Sequence, residues 1–129
     1  MGFLKGWTPQ LLSIFRIMTA LLFLEHGFAK LFHFPHVAMF DGVQPLSYFG
    51  IAGIIELVFG VLLAIGLFSE IAAFILSGEM AVAYFTVHAQ QGFFPILNMG
   101  ELAAVYCFAF LYLATAGPGP WSMDALRKK

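Results

Sequence analysis

The sequence is poor in cysteine and in charge. Cys107 is the one cysteine in 129 residues, which excludes a disulfide within the chain and a Cys-x-x-Cys redox pair. Lysine and arginine number 6 against 7 aspartate and glutamate, so the formal net charge is −1 and there is no basic excess to bind nucleic acid. Charged residues make up only 10% of the chain, well below the proportion in a typical soluble domain.

Apolar residues are abundant instead. Hydrophobic residues make up 61% of the sequence, phenylalanine alone occurs 16 times, and the mean hydropathy is +0.91. A soluble domain of this length cannot bury so much apolar surface, whereas a lipid bilayer covers it from outside. The composition therefore predicts an integral membrane protein whose first partner is the bilayer.

Four apolar stretches are long enough to cross that bilayer, since about 20 helical residues span its hydrocarbon core. Turn-forming prolines, Pro35 and Pro45, separate the first two stretches, and Ser69 is the predicted N-cap of the third. The predicted fold is all-α: a polytopic, antiparallel four-transmembrane-helix bundle forming one domain over residues 1–129. The predicted helices are 10–32, 46–68, 70–89 and 95–116.

Basic residues near the chain ends predict the orientation. Lys5 precedes the first span and Arg127-Lys128-Lys129 closes the chain, so the positive-inside rule places both termini in the cytoplasm. Lys30, near the outer end of the first span, is the one basic residue that opposes this orientation.

Each predicted span carries a glutamate: Glu25, Glu56, Glu79 and Glu101. An ionised side chain in hydrocarbon costs several kcal/mol, about 2.5–3.5 kcal/mol even on lenient insertion scales. Apolar helices that keep such groups indicate a polar site enclosed by the bundle. Glu25 and Glu79 each point about 100° or more away from the nearest histidine of the same helix, so the glutamate and the histidine cannot both face the centre of the bundle. Whether Glu25 and Glu79 face inward therefore stays open.

Helical periodicity places other polar residues on three stripes that we expect to converge on a pocket in the outer half of the bundle. Two glycines beside Glu56 would allow a neighbouring helix to approach closely. The stripes are Thr19, Phe23, His26 and Lys30; Gly53, Glu56 and Gly60; and Asn98, Glu101, Val105, Phe108 and Tyr112.

Each candidate residue has a functional and a structural interpretation. His26 and Lys30 either lie at the membrane interface or bind an anionic or quinone-like headgroup. Glu56 and Glu101 either relay protons, as candidate catalytic residues, or bridge helices. His88 and Asn98 complete the predicted binding set, which is His26, Lys30, Glu56, His88, Asn98 and Glu101.

Arg16 also has two interpretations. It lies towards the cytoplasmic end of the first span, where it could reach lipid headgroups. Alternatively, it is an internal counter-ion for Glu56 or Glu79.

No cofactor is fixed by these residues. A carboxylate metal centre is disfavoured because di-iron bundles use Glu-x-x-His pairs, and none occurs in the sequence. A haem held by His26 and His88 is a further, less favoured alternative. A bound quinone suits the predicted pocket better.

Several motifs in order resemble the DoxX-like membrane proteins, across residues 10–126. This resemblance implies a four-helix bundle in the bacterial inner membrane; some members resemble subunits of thiosulfate:quinone oxidoreductases, and others associate with thiol- or superoxide-handling proteins. Glu25 and Glu79 are not part of the pattern. The motifs are Arg16 with Phe-Leu-Glu-His26-Gly27-Phe-Ala-Lys30; Gly53-x-x-Glu56 with Gly60 and Gly66; His88; Gly100-Glu101; and Gly117-Pro118-Gly119-Pro120-Trp121-Ser122-Met123-Asp124.

The resemblance and the polar pocket together favour a subunit of a quinone-linked redox system. A soluble or membrane-bound redox partner would then supply the electron-carrying group, and whether the chain is itself an enzyme stays open. The alternative is a carrier of protons or a small solute, or a membrane scaffold for another protein, without catalysis of its own. Four spans are few for a transporter, so we expect a homo-oligomer.

Overall fold

The computed structural model describes residues 1–128, so Lys129, part of the predicted basic C-terminus, lies outside the described residues. Helix makes up 77% of the structure, and the described residues form no strand. The predicted all-α membrane bundle is therefore confirmed. The α-helices are α1 (Gly2–Lys5), α2 (Thr8–Phe32), α3 (Tyr48–Ile65), α4 (Ser69–Ala83), α5 (Pro95–Asn98), α6 (Glu101–Ala116) and α7 (Met123–Arg127).

Three helical segments are long and apolar enough to cross a membrane: Thr8–Phe32, Tyr48–Ile65 and Ser69–Gln91. The fourth apolar helix, Glu101–Ala116, is shorter. α3 ends at Ile65 because Gly66 adopts the left-handed conformation, with φ of 75°, and its N–H bonds the carbonyls of Leu62 and Leu63. We call the end of the bundle that holds both termini the terminal end, and the opposite end the loop end.

The third span changes helix type near the loop end. α4 stops at Ala83, a π-helix follows over Tyr84–His88, and a 3₁₀ turn over Ala89–Gln91 completes the segment. A π-turn inserts an extra residue into the helix, so side chains beyond it rotate relative to those before it. The angle predicted between Glu79 and His88 assumed a regular α-helix and therefore does not apply.

The fourth span is broken rather than continuous from residue 95. Met99 adopts a left-handed conformation with φ of 61°, which separates α5 from α6. The face of α6 that packs inward consists of Ala103, Tyr106, Phe110 and Leu113. The predicted inward stripe is wrong beyond the break: Glu101, Val105, Phe108 and Tyr112 are all exposed.

Two helix pairs build the bundle. α2 packs closely along α3, and α4 along α6, whereas α2 and α6 lie farther apart and meet through large aromatic side chains. A Cβ at Gly53 would lie 3.1 Å from the Cβ of Lys30, so this glycine sets the close approach of α2 and α3. The aromatic centre of the core forms where Phe23 meets Tyr106 and Phe110 edge to face.

Arg16 holds the terminal end together. It is 1% exposed, donates to the carbonyl of Pro118, and donates from Nη2 to the carbonyl oxygens of Trp121 at 2.8 Å and Ala64 at 3.4 Å. Arg16 therefore neither reaches the lipid headgroups nor serves as the counter-ion of Glu56 or Glu79. The carbonyl groups of Pro118 and Trp121 belong to the segment after α6 and lie outside any helix, and that of Ala64 lies in the last turn of α3, where carbonyl groups lack a partner within the helix.

Asp124 fastens the C-terminal segment to the turn between α3 and α4. Its carboxylate accepts from the N–H groups of Phe68 and Ser69, both at 2.9 Å, and its own N–H donates to the Gly66 carbonyl at 2.8 Å. Phe68, not Ser69, occupies the N-cap position of α4, so the predicted cap residue is wrong by one position. The capping oxygens come from Asp124, a residue far along the chain that local sequence does not indicate.

Replacing Asp124 with asparagine should destabilise the terminal end. Partial burial raises the pKa of Asp124, but amide hydrogen bonds from Ser69 and Phe68 and the charge of Arg127 outweigh it, so the pKa lies below its ordinary value of 3.8. Ionised Asp124 thus stabilises the fold above pH 3.8, and this contribution disappears as the pH falls towards the folded-state pKa. Asp124→Asn should lose about 1 kcal/mol at neutral pH and lack that part of the acid dependence.

Unfolding in mixed detergent micelles, followed from neutral pH to below pH 4, measures both effects. Glu70→Gln is the matched control, since Glu70 lies exposed in the first turn of the same helix and its charge contributes only about 0.3 kcal/mol. Equal unfolding curves for Asp124→Asn and Glu70→Gln would contradict the cap.

Candidate functional site

A central cavity of about 190 Å³ lies among α2, α3, the third span and α6 in the loop half of the bundle. Four residues of the predicted binding set line it: His26, Lys30, Glu56 and His88. The remaining walls are apolar or aromatic and include Phe23, Phe40, Met80 and Tyr106. The cavity thus combines a few polar groups with apolar walls, as small-molecule sites do.

A buried ion pair forms part of the wall of this cavity. Lys30 Nζ is 2.6 Å from Glu56 Oε2, with side-chain exposures of 10% and 0%. Gly53 favours the pair, because a side chain at this position would crowd Leu31 and the Cβ of Lys30 and push α2 away from α3. Phe40 belongs to a 3₁₀ turn, Ala38–Phe40, in the loop between α2 and α3. Its ring covers the ammonium group of Lys30, with the ring centroid 5.5 Å from Nζ.

His88 is oriented by the backbone of the fourth span. Its Nδ1 lies 3.1 Å from the carbonyl oxygen of Asn98. A carbonyl only accepts hydrogen bonds, so the network assigns the proton to Nδ1 and leaves Nε2 as the acceptor of the neutral ring. The π-turn brings His88 to the cavity wall although Glu79 lies two turns earlier on the same span.

Asn98 shapes the site without lining it. Its Nδ2 donates to the Tyr84 hydroxyl at 3.2 Å and the Gly92 carbonyl at 3.0 Å, and its Oδ1 accepts from the Gly100 N–H at 2.8 Å. The amide is fully used in holding the break between α5 and α6. The predicted contact of Asn98 with a ligand is therefore replaced by a positioning role, since its carbonyl orients His88.

His26 lines the cavity from the α2 side. Its ring lies 6.0 Å, centroid to centroid, from both Phe23 and Tyr106. Residues one position apart on a helix diverge, and Glu25 is accordingly exposed while His26 is half-buried.

Glu101 lies apart from the chamber in which we expected it to meet Glu56. It is exposed at the start of α6 and lines neither the central cavity nor the second cavity described below. The break at Met99 is the physical reason, because it uncouples the direction of Glu101 from that of Asn98. The two carboxylates of the predicted relay therefore do not converge.

A second cavity adjoins the first. It is a groove of about 420 Å³ between α3 and α4, and it shares Lys30 and Glu56 with the central cavity. Glu79 contributes the additional carboxyl group, whose two oxygens are buried. Sequence reasoning left the direction of Glu79 open, although a carboxylate near the middle of a span was itself a usable signal.

The geometry does not suit the metal and haem alternatives. Within residues 1–128, no three histidine, cysteine or acidic side chains lie close enough to hold a metal ion. His26 and His88 do face one cavity, but its volume of about 190 Å³ falls below the roughly 300–1,000 Å³ of ordinary small-molecule pockets. A haem macrocycle does not fit this volume, whereas a single ring does.

Comparisons with known proteins agree with the architecture. The family profile described as DoxX matches residues 11–89. An uncharacterized protein of Haemophilus influenzae is 44% identical over 129 residues, covering 96% of both chains. An uncharacterized membrane protein of Mycobacterium tuberculosis is 27% identical over 132 residues, covering 90% of this chain and 80% of the relative. No solved structure matches the chain significantly.

Removing one partner of the buried pair should destabilise the protein more than removing both. Lys30→Met leaves the Glu56 carboxyl without its ammonium, which should cost about 3 kcal/mol. Lys30→Met combined with Glu56→Met removes both charges and should recover most of this loss. Unfolding free energies in mixed detergent micelles measure the difference.

The matched control is Lys5→Met, an exposed lysine near the N-terminus, which should leave the unfolding free energy unchanged. A double variant less stable than Lys30→Met would contradict the argument.

Proposed function

Because the chain belongs to the DoxX family of membrane proteins, we propose that it is the membrane subunit of a quinone-linked redox system. Its central cavity binds the quinone headgroup. The observation that carries this proposal is that His26, Lys30, Glu56 and His88, from three different spans, line one small cavity with aromatic walls.

The polar groups suit the two ends of a quinone ring. Lys30 is a permanent donor for a quinone carbonyl, and a histidine N–H is a second candidate donor. In the reduced form, the two hydroxyl groups need acceptors, which the Glu56 carboxylate and the free Nε2 of His88 supply. The ring lies among Phe23, Phe40 and Tyr106.

Quinol oxidation requires places for two protons and two electrons. Each hydroxyl loses one proton, to Glu56 and to His88, and the quinol becomes a quinone. The two electrons leave to a redox group on a partner protein, soluble or membrane-bound. The polar residues that line the cavity are acid–base groups, so the subunit handles binding and protons while the partner handles electrons.

We place the protein in the bacterial inner membrane with both termini in the cytoplasm. Lys5, Arg127 and Lys128 are exposed at the terminal end, as the positive-inside rule requires of a cytoplasmic end. Lys30, which opposed this orientation, is buried in an ion pair and so does not count as a loop charge. The cavity then lies in the outer half of the bilayer.

Contact with another protein is part of the proposal. Glu25 and Glu101 are exposed on the sides of α2 and α6, where lipid contact would be costly for a carboxylate. A second copy of the chain or the redox partner would shield them.

A proton carrier is the second candidate function. One observation favours it: Glu56 lines both the central cavity and the adjoining groove, and so connects these two spaces. Proton flux into liposomes that contain the protein but no quinone would favour this candidate over the redox subunit.

Quinol binding tests the proposal. In nanodiscs under anaerobic conditions, a short-tailed quinol analogue should bind wild-type protein, and Glu56→Gln should weaken binding about tenfold or more. The reason is that a charge-assisted hydrogen bond contributes roughly 1.5–3 kcal/mol. Fluorescence titration gives the dissociation constants.

Glu101→Gln is the matched control, because Glu101 is a glutamate of the same bundle half that lies outside both cavities. Its dissociation constant should equal that of the wild type. Equal affinities for all three proteins, or no binding by the wild type, would reject the quinone site.

A further inference from the structure

The groove between α3 and α4 brings a second carboxyl group to the buried ion pair. Glu79 lines this groove together with Glu56 and Lys30. Within the described residues, both Glu79 oxygens and Oε1 of Glu56 are buried and find no hydrogen-bond donor. Glu56 itself is 0% exposed and lines the groove as well as the central cavity.

The charges of this cluster do not balance unless it holds a proton. Lys30 compensates one carboxylate, through its 2.6 Å contact with Glu56 Oε2. A second ionised carboxylate would leave a net negative charge among apolar walls, which is strongly unfavourable. One proton removes that charge and also supplies the donor that the facing carboxyl oxygens lack.

We propose that Glu56 and Glu79 share one proton beside Lys30, and that Glu79 carries protons between the central cavity and the groove. The shared proton rests on the geometry of the cluster alone. Its use in quinol oxidation rests on the proposed function.

Lys30 supplies the permanent positive charge beside Glu56 and Glu79. The other titratable residues lining the two cavities are His26, Tyr106 and His88 on the central side and Tyr48 on the groove side. Of the described residues in these linings, Lys30 is the one with a permanent positive charge. A neutral histidine and neutral tyrosines do not compensate a second carboxylate.

The shared position of Glu56 defines the direction of transfer. Glu56 accepts a proton from a ligand hydroxyl in the central cavity and becomes a carboxylic acid. Because the pair already shares one proton, both carboxyl groups are then protonated. Glu79 releases one proton to the groove, which returns the pair to a single shared proton. Glu79 lines only the groove, which extends towards Tyr48 at the loop end, where Tyr48 bonds Thr86 at 2.6 Å.

Infrared spectroscopy of the protein in nanodiscs tests the shared proton without any quinone. A protonated carboxyl group gives a carbonyl-stretch band that shifts in heavy water. Glu79→Gln and Glu56→Gln should each remove the same component of this band. The double variant should remove no more than either single variant, because there is one proton between two sites.

Two further variants sharpen the test. Lys30→Met removes the counter-charge, so both carboxyl groups should be protonated and the band should increase. Glu70→Gln, an exposed glutamate at the terminal end, is the control and should leave the band unchanged. If the double variant lost as much of the band as the two single variants together, the two glutamates would hold separate protons. A band unaffected by Glu79→Gln would show that this pair does not share a proton. Either result overturns the proposal.

The outcome is independent of the quinone test. If the protein shows the shared-proton band but binds no quinol, this inference stands and the proposed function is rejected. If the protein binds quinol but lacks the band, the proposed function stands and this inference is rejected.

Discussion

The low dielectric of the membrane interior is the constraint on which the rest of the structure depends. It requires that Lys30 and Glu56, once placed in apolar helices, find each other. The pairing in turn requires a glycine at position 53, so that α2 and α3 lie close together. It also requires a cover on the ammonium, which the loop supplies through Phe40. The small polar cavity exists because these parts enclose the pair.

Composition and hydropathy were sufficient to predict the membrane bundle, because a bilayer places the same demand on every spanning helix. The inward direction of Glu56 followed from two glycines on its face of a regular helix. Glu101 and Asn98 were harder, since their shared face assumed a helix that Met99 interrupts. A left-handed residue and a π-turn are set by tertiary contacts, and helical periodicity carries no information about them.

Long-range contacts explain the other difference between sequence and structure. Arg16 and Asp124 are both polar residues near the terminal end, and each bonds backbone groups more than 50 positions away in sequence. Their partners are carbonyl and amide groups left free by turns, which exist only after the helices have packed. Charged partners for an arginine can be identified in a sequence, whereas carbonyl groups without a partner cannot. For this reason the sequence predicts headgroups or glutamates as the partners of Arg16.

The brevity of α6 has a consequence for the surrounding lipid. At 1.5 Å per residue, the helix Glu101–Ala116 extends only about 24 Å, several ångströms less than a typical hydrocarbon core of about 30 Å. α2, with 25 residues, has no such deficit. Hydrophobic mismatch is therefore greater beside α6 than beside α2, and the bilayer must thin more where it meets α6. The energy of this uneven deformation is smallest where the lipid beside α6 is already thin.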